Sequence, residues 1–103
     1  MTQLSNNKAG VSWEILYFTG PGCQVCKVLE PQVRKMILDS FPDVEYRMIN
    51  VADDQKLAAS HGIFTVPVIL MLYESKEYLR EVRFISVHQL RDKIARLLEL
   101  SAR

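Results

Sequence analysis

The spacing of apolar residues changes several times along this chain, and each change marks an element. WEILYFT (Trp13 to Thr19) alternates large residues on both faces, as a strand buried on both sides does. From Cys23 to about Ser40 the period lengthens. Cys26, Leu29, Val33, Met36 and Ile37 recur on one helical face. Pro31 lies inside that helix, where it removes one backbone donor and crowds the carbonyl of Lys27, so a kink is expected there. FPDV makes a turn, and Val44 to Val51 reads as a second strand. Asp53 is expected to cap a short helix running to Ser60, which Gly62 ends. TVPVILMLY (Thr65 to Tyr73) is nearly unbroken apolar sequence, the mark of a central strand. Glu74 to Glu77 is a polar turn, and Tyr78 to Phe84 returns antiparallel to it. Ser86 followed by Gln89 fits a capping box, and Val87, Leu90, Ile94, Leu97 and Leu98 form the buried stripe of a last helix.

The resulting order is β-α-β-α-β-β-α. It predicts an α/β domain in which a four-stranded mixed sheet carries helices on both faces and the first two strands are joined by a right-handed crossover. At 103 residues the chain is one domain, with a loose tail over 1–12 and the folded unit over 13–103. There are no repeats or linkers. Hydrophobic residues make up 49% and charged residues 24%, which argues against disorder.

The formal net charge is +1 and no basic stripe stands out, so neither nucleic acid nor an acidic membrane is indicated as a partner. The first twenty residues hold one lysine and no continuous apolar stretch, so no secretory signal is read. The longest apolar run, Val66 to Tyr73, is too short to span a bilayer. With only two cysteines, the expected setting is a reducing cytoplasm.

Those cysteines carry the chemistry. GPGCQVCK (Gly20 to Lys27) places Cys23 where helical periodicity begins, beside free backbone N–H groups and the positive end of the helix dipole. Both favour a thiolate. Cys26 lies one turn further in, on the apolar stripe, and is expected to be more buried. In that arrangement Cys23 attacks a substrate disulfide and Cys26 resolves the mixed disulfide. A pair of thiols that merely pack is a second reading, and half of a zinc site a third. Zinc needs four ligands, and His61 and His88 lack the usual spacing. His61 suits a helix C-terminus, His88 a solvated first turn, and Asn50 and Asp53 a turn with a cap. Trp13 suits the core or its rim. Glu30, four residues after Cys26, is read as a solvated glutamate rather than a proton acceptor.

With Cys23, Cys26, Pro31 and Pro67 at these spacings, and Lys27 after the motif, the chain resembles the thioredoxin superfamily over roughly residues 13 to 100. The resemblance implies a cis bond before Pro67, which exposes the backbone of Val66 as an edge for an extended substrate, with Gly22, Val66 and Pro67 forming the substrate-binding surface. It implies a thiol–disulfide oxidoreductase that reduces protein disulfides, drawing electrons from a thioredoxin reductase or from glutathione, as a monomer and with no cofactor or metal. A binding module of the same fold with little catalysis, and a glutaredoxin-like glutathione-dependent enzyme, are the competing readings.

Four departures from the thioredoxin pattern stand out. The twelve residues before Trp13 are too few for the strand and helix that open ordinary thioredoxins. Gly22 stands where the family has a tryptophan, with Gln24 and Val25 between the cysteines in place of Gly-Pro. Tyr17 stands in place of a buried aspartate that relays protons, and a phenol is a poor base at neutral pH. Finally, the glycine usual near the last strand is replaced near Arg83, whose side chain is expected over the substrate groove.

Overall fold

The computed structural model describes residues 13–102. The tail expected over 1–12, and with it the question of an additional N-terminal strand and helix, lies outside the described residues. Seven elements follow in order: β1 (Trp13–Thr19), α1 (Gln24–Ser40), β2 (Glu45–Asn50), α2 (Gln55–Ser60), β3 (Val68–Tyr73), β4 (Lys76–Val82) and α3 (Val87–Ser101). The strands form one mixed sheet in the spatial order β2-β1-β3-β4. β1 runs parallel to β2 and antiparallel to β3, and β3 pairs antiparallel with β4.

Burial follows that order. β1 and β3 are central and buried on both faces, so they carry little polar alternation, whereas β2 and β4, the outer strands among the described residues, carry more exposed side chains. Period-two alternation along β1 splits the core in two. Ile15 and Tyr17 join Ile69 and Met71 under the stripes of α1 (Cys26, Leu29, Val33, Ile37) and α3 (Leu90, Ile94). Leu16 and Phe18 join Leu70 and Leu72 on the other face, under Ala58 of α2. This is the two-sided sheet that the hydrophobic pattern implied.

The differences are local. Asp54, not Asp53, caps α2, its Oδ1 accepting from Leu57 N at 3.1 Å. Asp53 is used in the preceding turn, where its N–H donates to Asn50 O at 2.9 Å. The hairpin after β3 needs only Glu74 and Ser75, both at positive φ (49° and 72°), the geometry that matches strand twist in a two-residue turn. β4 therefore starts at Lys76 rather than Tyr78, and it ends at Val82 rather than Phe84. α1 runs unbroken through Pro31. Ser86 caps α3 as its sequence suggested, accepting from Gln89 N at 3.2 Å. Trp13 is core, its ring centroid 4.9 Å from that of Tyr73 and 5.5 Å from that of Tyr78.

Candidate functional site

The loop between β1 and α1 delivers both cysteines. Gly22 turns it at φ +74°, a conformation glycine adopts without the steric strain a side chain brings. At Gly20 a Cβ would stand 3.2 Å from Val51 Cγ2, so the chain passes close to the neighbouring loops. Cys23 is the N-cap of α1, and its Sγ accepts the Cys26 backbone N–H at 3.2 Å. One backbone N–H of the first helical turn thus points at the sulfur that would carry negative charge, at the positive end of the helix dipole. Cys26 is 4% exposed, whereas Cys23 is half-buried. The two are joined as a disulfide. A dithiol so divided has one accessible sulfur at a helix N-terminus and one sulfur in the apolar core.

Beside the motif runs a groove of about 580 Å³ lined by Val25, Leu29, Val66, Pro67, Arg83, Phe84, Ile85 and Ser86. Val66 and Pro67 therefore meet the turn between the cysteines, as does the Gly20 loop, whose Cβ direction points at Val66. The Val66–Pro67 peptide is cis. Pro67 O accepts from Arg83 N at 3.4 Å. Among the described residues, the backbone of Val66 enters no such bond. Gly22 is exposed, with nothing within 4 Å of where a Cβ would stand. The structure packs Cys23, Cys26 and Val66 against one core, with Pro67 beside Val66 in the groove lining and Gly22 in the exposed loop before Cys23.

Two groove residues gain meaning from the structure. Arg83 sits at φ +63°, the left-handed region that favours glycine, which is why glycine suits this place. Phe84 is 98% exposed, a large apolar side chain held in water at the groove mouth. The histidines stay apart from the site. His61 ends α2 and its ring lies against Phe18, while His88 is exposed near Asp92. Among the described residues, no three His, Cys, Asp or Glu gather as a metal site would require.

Below the dithiol lies a polar cluster that sequence reasoning misassigned. Glu30 is buried, not solvated, and accepts from Tyr46 Oη at 2.9 Å. The available signal was spacing, since Glu30 falls on the same stripe as Cys26 and Val33. Burial, and then the negative charge of Glu30, push the Tyr17 phenol up to about 12. Burial and the hydrogen bond to Glu30 raise Tyr46 as well. Both phenols are therefore neutral across the physiological range. The Tyr17 hydroxyl is fully buried and has no hydrogen-bond partner among the described residues.

That orphan hydroxyl yields an expected result. Tyr17→Phe removes a buried polar group without a partner and should stabilise the fold by about 1 kcal/mol at neutral pH. It should also blunt alkaline unfolding. The folded-state value of Tyr17 lies above the unfolded one, so its contribution is complete below about pH 10 and is lost as pH rises towards 12, roughly 2 kcal/mol by then. Urea melts of both proteins at neutral and alkaline pH measure the difference. A Tyr17→Phe protein less stable than wild type at both would contradict this account of the pocket.

The family model described as Thioredoxin matches residues 4–96. The thioredoxin-like protein YdfQ of Bacillus subtilis is 39% identical over 88 residues, covering 85% of this chain and 78% of that protein. A segment of the NADPH-dependent thioredoxin reductase 3 of Arabidopsis thaliana is 29% identical over 68 residues, 66% of this chain but only 13% of the reductase. Among solved structures, thioredoxin 1 of Thermosipho africanus superposes with a TM-score of 0.79 at 29% identity, covering 87% of this chain and 99% of that one.

Proposed function

The chain belongs to the thioredoxin family, and from that premise we propose that it reduces disulfides in protein substrates, with Cys23 as attacking and Cys26 as resolving thiol. The fold and the cysteine pair are those of a thiol–disulfide oxidoreductase in general. The observation that carries the finer reading is the division of labour in the pair: Cys23 accessible and bonded to the helix N-terminus, Cys26 buried behind it.

The reaction runs in two exchanges. The Cys23 thiolate attacks one substrate sulfur, the substrate S–S bond breaks, and the first substrate thiolate leaves. Cys26, as thiolate, then attacks Cys23 Sγ, which releases the second substrate thiol and closes the Cys23–Cys26 disulfide. The substrate gains two electrons and the dithiol loses two. A thioredoxin reductase or glutathione then returns the electrons, in a reducing cytoplasm.

The groove favours an extended polypeptide over glutathione. Its lining offers one cation, Arg83, and one side-chain hydroxyl, Ser86, to a tripeptide bearing two carboxylates. The remaining lining residues are apolar. Val66, its backbone groups unpaired among the described residues, suits strand addition by a substrate segment, with Pro67 next to it in the groove lining and Gly22 exposed before Cys23. Gly22, Val66 and Pro67 are thus assigned to substrate binding. The test is insulin reduction by dithiothreitol. Catalytic amounts of the protein should shorten the lag before insulin precipitates, and a lag unchanged at any dose would favour the binding-module reading instead.

A further inference from the structure

Glu30 is 7% exposed and is the one charged side chain so buried among the described residues. It follows Cys26 by four positions on α1, so the two share a face with Cβ atoms about 5–6 Å apart. Its neighbours on that stripe, Leu29 and Val33, are apolar. Packing alone gives no reason for a carboxyl here, since burying one costs free energy that an aliphatic side chain does not. The carboxyl is also held in place. Tyr46 Oη, from β2, donates to Oε2 at 2.9 Å, and Arg34 Nη2, from α1, lies 3.5 Å from Oε1. From β1, the orphan hydroxyl of Tyr17 lies in the same core cluster as Cys26. The groups that face Glu30 are therefore Cys26 and Arg34 on its own helix, Tyr17 on β1 and Tyr46 on β2.

Resolution needs a thiolate at Cys26, yet apolar burial favours the neutral thiol. Some group must take the proton. The two phenols nearby are neutral with no capacity to accept it at physiological pH, and Arg34 is a cation. We propose that Glu30 accepts the Sγ proton of Cys26 as the mixed disulfide resolves, directly or through one water, with Tyr46 as the residue that positions its carboxylate. The proton passes from Cys26 Sγ to Glu30, and the Cys26 thiolate forms the bond to Cys23 Sγ. The bond from Cys23 Sγ to the substrate sulfur breaks, and the departing substrate thiolate or solvent takes the proton back from Glu30. Electrons move only from the dithiol to the substrate.

This inference rests on the reading of Cys26 as resolving thiol, and one experiment separates the two. The fully reduced protein is mixed in a stopped-flow instrument with a nitrobenzoate aryl disulfide whose released thiolate is coloured. The first thiolate reports attack by Cys23, and the second reports resolution by Cys26. Absence of a second release in the wild type would sink the resolving role itself. If it is present, Glu30→Gln should leave the first phase unchanged and slow the second about 10²-fold near neutral pH, the lower range of general-base effects. The gap should close as alkali ionises Cys26 without help, and Glu30→Asp should recover part of the rate. A second phase in Glu30→Gln equal to wild type in rate and pH profile would overturn the proposal, whatever happens to stability. Should that variant fail to fold, Tyr46→Phe decides. It keeps the carboxylate and removes the hydrogen bond that positions it, so the second phase should slow while the first is unchanged. A second phase equal to wild type in rate would overturn the proposal, because a purely structural tyrosine changes the melting temperature and not the ratio of the two phases.

Discussion

Cys26→Ser is expected to accumulate a covalent complex with disulfide substrates, and Cys23→Ser to form none. Each variant lacks one of the two thiols, but they break different steps. Without Cys26, the Cys23 thiolate still sits at the N-terminus of α1 and attacks, but nothing within the protein displaces the bound substrate thiol. The mixed disulfide then persists until an external thiol removes it. Without Cys23, the only thiol left is one turn into the helix and 4% exposed, where a folded substrate has no access. Insulin reduction should fall to the dithiothreitol background in both, since each turnover needs both exchanges. Non-reducing gels and intact-mass measurement of each variant with an oxidised protein substrate show which one retains it. Equal trapping by Cys23→Ser and Cys26→Ser would reverse or erase the assigned order.

Phe18→Ala should be the most damaging change away from the dithiol. Phe18 is fully buried among Leu16, Val68, Leu70 and Leu72, on the sheet face covered by α2. Removing its ring should cost about 3–5 kcal/mol through lost burial and the cavity left behind. That is a large fraction of the roughly 5–15 kcal/mol that holds a domain folded. Phe84→Ala is the informative partner. Phe84 is just as large but 98% exposed, so its truncation should move the urea midpoint little, within about 0.5 kcal/mol. Its effect should instead fall on protein substrates that use the groove. Urea melts of the two variants test the pair. A Phe18→Ala protein as stable as wild type would mean that the second core is not packed as described.

Much of this architecture is legible in the periodicity, and the exceptions have physical causes. β1 and β3 are recognised because burial on both faces leaves continuous apolar runs, Ile15 to Phe18 and Val68 to Leu72, although β3 begins at Val68, after Pro67, rather than at Thr65. α1 and α3 are read from their stripes. The cap of α2 is misread by one residue because adjacent aspartates, Asp53 and Asp54, are equally able to cap, and only the turn on Asn50 decides between them. The hairpin is read too long because Glu74 and Ser75 are not the residues that usually announce positive φ. Glu30 is misread because a glutamate is assumed to seek water, while its partner Tyr46 lies on another element, 16 residues away. The cysteine pair is legible because its chemistry is local to one strand end and one helix start. The groove is legible in part: Val66, Pro67 and Arg83 are expected there from the resemblance and do line it, whereas Phe84 is read as the end of a strand and instead joins the lining after β4 has ended.

The central claim is that Cys23 and Cys26 form a reducing dithiol, and an equilibrium titration of the pair in glutathione buffers tests it most directly, with alkylation and mass shift reading the disulfide. The expected result is one two-electron transition at a strongly reducing potential, nearer the about −270 mV of thioredoxin than the about −180 mV of protein disulfide isomerase. A potential near the about −120 mV of a dedicated oxidant, or no intramolecular disulfide in any buffer, would contradict it.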